Sequence, residues 1–199
     1  MENAAQKPLI SMTRSPRTAP PARAKASHSD FEADFEAYFE ALFHQYWEPL
    51  CRILYQILGD WDEAEDLALE TFYQLHRRPP ADNRNLVGWL YRVATNLGLN
   101  ALRGRKRRAR YEGEAGRHAL QTTAPADPAS TAEHKLEQEQ VRQALMSIQP
   151  RSAQILMLRY TGFSYAEIAA ALSLAPGSVG TLLARAEQEF EKAFRKVYR

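Results

Sequence analysis

Between Phe31 and Leu58 the apolar side chains return at steps of three and four: Phe35, Phe39, Leu42, Phe43, Tyr46, Leu50, Ile53, Leu54 and Ile57. This is the period of an amphipathic helix, and Pro49 marks a point where that helix kinks or divides. Gly59 and Asp60 then offer a break and a cap. Ala64, Leu67, Ala68, Phe72 and Leu75 follow as the apolar stripe of a second helix, whose acidic N-terminal end suits the helix dipole. The prolines and Asn/Asp residues of "PPADNRN" predict a loop. A third helix runs from Leu86 to about Arg108, with Trp89, Leu90, Val93, Ala94, Leu97 and Leu102 on its apolar face.

Residues 109–130 show no period and contain glycines and prolines, so a linker is expected there. Fully extended, it reaches ~70–80 Å. The helical period returns from Thr131 in "TAEHKLEQEQVRQALMSI", and again in "QPRSAQILMLRYTG", with Pro150 near its start and Gly162 at its end. No β-type alternation of useful length occurs. The expected fold is all-α: a disordered basic tail (1–29), a helical domain (30–108), the flexible linker (109–130) and a second small helical domain (131–199), with two modest cores.

The stretch "SYAEIAAALSLAPGSVGTLLARA" ends that second domain. Ser164 and Glu167 have the spacing of a capping box, which predicts a short helix from Tyr165 to near Leu172. "SLAP" makes a turn, and Pro176 suits the first position of a further helix, whose Val179, Leu182, Leu183 and Ala186 face back. This is compatible with a helix-turn-helix whose second helix enters the DNA major groove. The spacing alone leaves a simple packing hairpin equally open.

Composition narrows the class. The 199 residues are 45% apolar and 25% charged, as in globular domains. The single cysteine, Cys51, lies among apolar residues, which points to a buried structural thiol and a reducing compartment. No apolar run is long enough for a membrane span and the N-terminus lacks a secretory signal's apolar core, so a cytoplasmic protein without membrane insertion is expected. The net charge of +2 conceals a polarity: residues 1–29 carry +4, 30–79 carry −9, 80–118 carry +6 and 119–199 carry +1. Such a chain is built for two partners, one met by an acidic face and one by a basic face.

The basic face centres on "RGRKRRAR", Arg103 to Arg110, with six positive charges in eight residues. Phosphate binding is the functional reading, because each neutralised phosphate releases counterions; a solvated helix end is the alternative. "DWDEAED" lacks a calcium-loop glycine and falls on a helix start, so a protein-binding acidic face is favoured over a metal site. The scattered histidines give no zinc spacing, and neither G-x-S-x-G nor a Walker loop is present. Neither an enzyme nor a cofactor is expected.

Together, "AEDLALETF", "GWLYRVATNLGLNALRGRKRR" and "IQPRSAQILMLRYTGFSYAEIAAALSLAPGSVGTLLARA" resemble regions 2 and 4 of the extracytoplasmic-function sigma factors, short bacterial members of the sigma-70 family. The resemblance spans about Phe35 to Phe194 and favours the helix-turn-helix. It implies a non-enzymatic subunit that binds core RNA polymerase, at the β′ clamp helices and the β flap, and directs it to promoter DNA. Asp66, Leu67 and Glu70 fall on the polymerase-docking helix of region 2, with Leu69 where the family has glutamine. An apolar residue there weakens or reshapes that contact.

By the same resemblance, Asn96 lies beside an unstacked base of the −10 element, while Arg92, Asn100, Arg103, Arg105, Lys106, Arg107 and Arg108 face the DNA backbone. Trp89 offers stacking, but on the apolar face of its helix it reads as core. In region 4, Ser178, Thr181 and Arg185 match positions that touch the −35 element, and Arg151 a phosphate. Gly180 and Leu182 stand where the family has basic residues, which weakens the electrostatic part of binding. An anti-sigma factor is a further expected partner by family analogy. Three other readings stay open: a polymerase-independent helix-turn-helix regulator, a degenerate sigma serving as an interaction protein, and an RNA-binding helical protein, which leaves the acidic helix unexplained.

Overall fold

The computed structural model describes residues 28–80, 85–115 and 132–198. Among them the regular elements are all helical: α1 (His28–Leu58), α2 (Trp61–Arg77), α3 (Leu86–Ala115), α4 (Ala132–Ser147), α5 (Pro150–Tyr160), α6 (Tyr165–Leu172), a 3-10 turn at Pro176–Ser178 and α7 (Val179–Val197). The all-α expectation holds. The expected tail lies outside the described residues up to residue 27, and His28 and Ser29 already belong to α1.

One expected boundary is displaced, and of the two effects expected of Pro49 the division is absent. Pro49 sits inside α1 without dividing it. Tyr46, Leu50, Cys51 and Ile53, all buried, flank it, and their packing offsets the hydrogen bond that proline cannot donate. Helix α3 runs past Arg108 to Ala115, so the first residues of the expected linker are helical. "ARYEGEA" holds no proline and is rich in Ala, Arg and Glu; its one glycine costs only about 1 kcal/mol, too little to stop a helix already nucleated. The rest of the expected linker, 116–130, lies outside the described residues.

Local signals work as their chemistry requires. Gly59 closes α1 in the left-handed region (φ 72°), where a side chain would be strained, and Asp60 caps α2 by accepting the Glu63 amide at 3.0 Å. Ser164 and Glu167 form the reciprocal capping box: the Glu167 amide donates to Ser164 Oγ at 3.3 Å and the Ser164 amide to Glu167 Oε2 at 2.8 Å. The next helical segment, Pro176–Val197, lies at 114° to α6. That angle belongs to a helix-turn-helix and not to a packing hairpin, whose helices run nearly antiparallel. Ser164→Ala should lower stability by about 1 kcal/mol, read as a shift in the thermal unfolding midpoint.

Burial joins what the sequence divides. Leu50, Ile53, Leu54 and Ile57 of α1, Phe72 of α2 and Leu90 and Ala94 of α3 form one part of the core. Gly98 permits close approach of α1 and α3, since a carbon at its side-chain position would lie 2.9 Å from Leu54 Cδ2. Leu158, Phe163, Ile168 and Val179 continue the same cluster from the C-terminal helices, so the apolar core is continuous where two cores were expected. The junction lies where α5 and α6 pack on α3, with the Tyr91 and Phe163 rings edge to face at 5.0 Å. Cys51 is fully buried, and burial foremost, with Glu65 and Glu48 adding to it, pushes its thiol pKa up to about 11. Among the described residues no single helix is long and apolar enough to cross a membrane.

Candidate functional site

Helix α2 presents its acidic face outward because its other face is committed to the core through Ala64, Ala68, Thr71, Phe72 and Leu75. Asp66 is exposed and Glu70 half-buried, the latter accepting from Gln74 Nε2 at 2.9 Å. Leu67 is half-buried against the core, so its contribution to any partner is through packing. Two apolar side chains stand on the outer face one turn apart, Leu69 at 56% exposure and Tyr73 at 52%. The Arg77 guanidinium lies 5.9 Å from the Tyr73 ring centre. An acidic helix with a two-residue apolar strip presents both long-range attraction and a surface worth desolvating. Tyr73 went unnoticed in the sequence, although its place off the apolar stripe and four residues after Leu69 is a readable signal.

Three other carboxylates around the start of α2 have structural work. Asp60 is the cap, Glu65 accepts from Trp61 Nε1 at 2.8 Å, and Glu63 pairs with Arg105. Arg105 thereby leaves the basic run: it also donates to the Leu58 carbonyl at 3.0 Å and lies 3.9 Å from Asp60. Burial lowers its pKa from the ordinary guanidinium value, against the opposing pull of Asp60. In this structure Arg105 ties α3 to the α1–α2 corner.

The other basic and polar residues of α3 form a stripe. Asn96, Asn100, Arg107 and Arg108 are exposed and Arg92 is half-buried. Arg103 is half-buried too, and burial lowers its pKa; one terminal nitrogen has no hydrogen-bond partner among the described residues. The side chain of Lys106 lies outside the described residues. At the N-terminal end of α3, Asn85 Oδ1 accepts the Gly88 amide at 3.1 Å, a cap missing from the sequence analysis. Trp89, half-buried and packed on the core, lines a cleft with Pro80, Asn85 and Arg92, so its ring is structural on one side and open on the other.

On the C-terminal helices Arg151, Thr181 and Arg185 are exposed. Ser178 is half-buried and its hydroxyl donates to the Ala175 carbonyl at 2.7 Å, which holds the turn before α7. Gly180 has a neighbour: a carbon at its side-chain position would touch the Tyr165 ring at 3.5 Å. Tyr165 is in turn covered by Arg159, whose guanidinium lies 5.6 Å from the ring centre. Helix α7 thus begins beside an aromatic ring and a cation contributed by α5 and α6. Leu182 is half-buried.

The Sigma-70 region 2 family matches residues 42–108 and the Sigma-70 region 4 family matches residues 138–190. The chain is 28% identical over 159 residues to the ECF RNA polymerase sigma factor SigW of Bacillus subtilis, covering 75% of this chain and 85% of the relative. It is 31% identical over 134 residues to the ECF RNA polymerase sigma factor EcfG of Rhodopseudomonas palustris, covering 66% and 71%. Among solved structures, the sigma factor RpoE of Bartonella quintana, crystallised with the anti-sigma factor NepR, shares the fold at a TM-score of 0.51 and 20% identity. That likeness covers 79% of this chain and 96% of the other.

Proposed function

Since the chain belongs to the extracytoplasmic-function sigma factors of the sigma-70 family, we propose that it docks on core RNA polymerase through the outer face of α2 and carries the enzyme to promoters read by α3 and α7. The observation that carries this reading is the adjacency of the two faces: Asp66, Leu69, Glu70 and Tyr73 on one helix, and the cationic stripe of Arg92, Arg103, Arg107 and Arg108 on another packed against it. The β′ clamp helices are the surface that α2 meets, and the β flap is met by the C-terminal helices. Asn96 reads a splayed base of the −10 element, with Asn100 and the arginines on the backbone. Ser178, Thr181 and Arg185 approach the −35 element, with Arg151 on a phosphate. Arg105 stays out of this set, held by Glu63 and the Leu58 carbonyl.

The cationic ring stack of Arg159 over Tyr165 supplies charge next to Gly180, which offsets the missing basic residue. An anti-sigma protein is the proposed regulator, by analogy with the neighbour crystallised in that company. The test is transcription by core polymerase on fragmented genomic DNA with and without this protein. Discrete new start sites that appear only in its presence are the expected result. Polymerase that binds the protein without initiating points to the degenerate sigma, and promoter binding without polymerase to the independent regulator.

A further inference from the structure

We propose that the segment Lys7–Arg17 of this chain docks on the outer face of α2 and competes there with core polymerase. This rests on the polymerase reading above, and it adds a regulation of the same face which that reading does not contain. Asp62, Asp66, Leu69 and Tyr73 follow one another at steps of four, three and four, so they form a single exposed stripe along the helix. Neither Asp62 nor Asp66 has an ion-pair partner among the described residues, in contrast to Glu63, which Arg105 holds. Leu69 and Tyr73 leave more than half of their surface in water. An apolar pair beside unpaired carboxylates fits a segment in which apolar side chains are followed by cations.

The first 27 residues, outside the described ones, contain such a segment. They carry Lys7, Arg14, Arg17, Arg23 and Lys25 against Glu2 alone. Apart from Met1, their large apolar residues are Leu9, Ile10 and Met12, all within "KPLISMTRSPR", which has three cations and no acid. Pro8 and Pro16 favour extended chain on either side of these residues. In an extended chain alternate residues share a side at about 7 Å spacing, so Ile10, Met12 and Arg14 present two apolar groups and then a cation. Along α2, Tyr73 and Leu69 are about 6 Å apart and Asp66 lies about 4.5 Å further on, the same order at a similar spacing.

The tether is long enough. Phe39 of α1 meets Phe72 and His76 of α2 with ring centres 6.1 and 5.5 Å away, so α1 begins beyond the end of α2 that carries Tyr73. From Phe39 back to His28 is about 16 Å of helix. The stretch from His28 back to Arg14 reaches ~46–50 Å when extended, which lets the segment lie along Asp66 to Tyr73. A tethered ligand acts at an effective concentration of about 1 mM. A contact with a dissociation constant of about 0.2 mM then leaves roughly one molecule in six open and lowers the affinity for polymerase about sixfold.

The experiment uses the full chain with a nitroxide on a cysteine introduced at Ser11→Cys, on the opposite side of an extended chain from Ile10 and Met12, while the buried Cys51 stays unlabelled. In the free protein the amide NMR signals of Asp66 to Tyr73 should be broadened and those of α7 should not. Arg14→Glu with Arg17→Glu should restore them, as should about 0.5 M salt. The triple variant Lys7→Glu, Arg14→Glu, Arg17→Glu should bind core polymerase about three- to tenfold more tightly than wild type, with circular dichroism as the check on folding. Unbroadened α2 signals in the free wild type would overturn the proposal, and so would a triple variant that binds polymerase no more tightly. Equal broadening between a nitroxide-bearing chain and a separate isotope-labelled chain would assign the contact to a second copy and overturn it as well. If polymerase binds neither protein, the polymerase reading fails and the competition with it, whereas the broadening by itself still decides whether the segment occupies α2.

Discussion

Asp66→Arg combined with Glu70→Arg is expected to remove the protein from core RNA polymerase, cutting affinity by more than about a hundredfold. Neither side chain is part of the core, and Glu70 loses only its hydrogen bond to Gln74, so the helix itself survives. What changes is the sign of two charges on the face proposed to meet the partner. Placing like charges opposite one another costs several kcal/mol at a protein interface, and about 2.7 kcal/mol already corresponds to a factor of a hundred. Gel filtration with core polymerase reads the outcome as lost co-elution, with unchanged helicity as the control. Retained co-elution would move the docking face off α2. Leu69 sharpens the interpretation: the apolar residue that seemed a defect in the sequence pairs with Tyr73 into an exposed strip, the kind of surface that gains most from desolvation at a contact.

Phe72→Ala should cost about 3–5 kcal/mol of unfolding free energy, the largest stability effect expected of one substitution here. The ring is 1% exposed and meets Phe39 at 6.1 Å, Phe43 at 4.9 Å and Trp47 at 6.4 Å. Truncation leaves a cavity among three aromatic groups that are too large to close it. The loss is a substantial share of the 5–15 kcal/mol by which a domain is stable. Urea unfolding should show the midpoint falling while the slope is kept. A change below about 1 kcal/mol would mean that the inner face of α2 does not anchor it. Because Phe72 backs the helix that carries Asp66 and Glu70, the same variant should also weaken polymerase binding, through the positioning of α2 and with no change in its outer charges.

How far the sequence is legible follows the range of the interaction. Asp60, Ser164, Glu167 and Gly162 act within one helical turn, and each marks its boundary in the chain as it does in the structure. Periodicity likewise identifies most of the buried residues of α2 and the helix-turn-helix, missing Thr71 and taking in the half-buried Leu67 and Leu182, although only the 114° angle separates that motif from a hairpin. The continuity of α1 through Pro49 and the last turns of α3 escape because packing and propagation outweigh a local breaker. The site is legible as a set of positions and illegible as a set of states. Nothing local distinguishes Arg105 from Arg107, yet one meets Glu63 and the other meets solvent. The partners that decide it are 42 and 47 positions away in the chain, at Glu63 and Leu58. Gln154 is equally silent, an ordinary polar residue until α3 comes alongside and it donates to the Arg92 carbonyl at 2.9 Å.

The burial of Cys51 bears on how this factor can be informed of its surroundings. With its pKa near 11, the thiol is ionised in only about one molecule in ten thousand at neutral pH, and the ionised form is the one that peroxides and disulfides attack. Within these 199 residues there is no second cysteine with which it could form a bridge. Burial and the raised pKa together make this sulfur a poor target for oxidants, so its part in the protein is that of a small apolar side chain in the core.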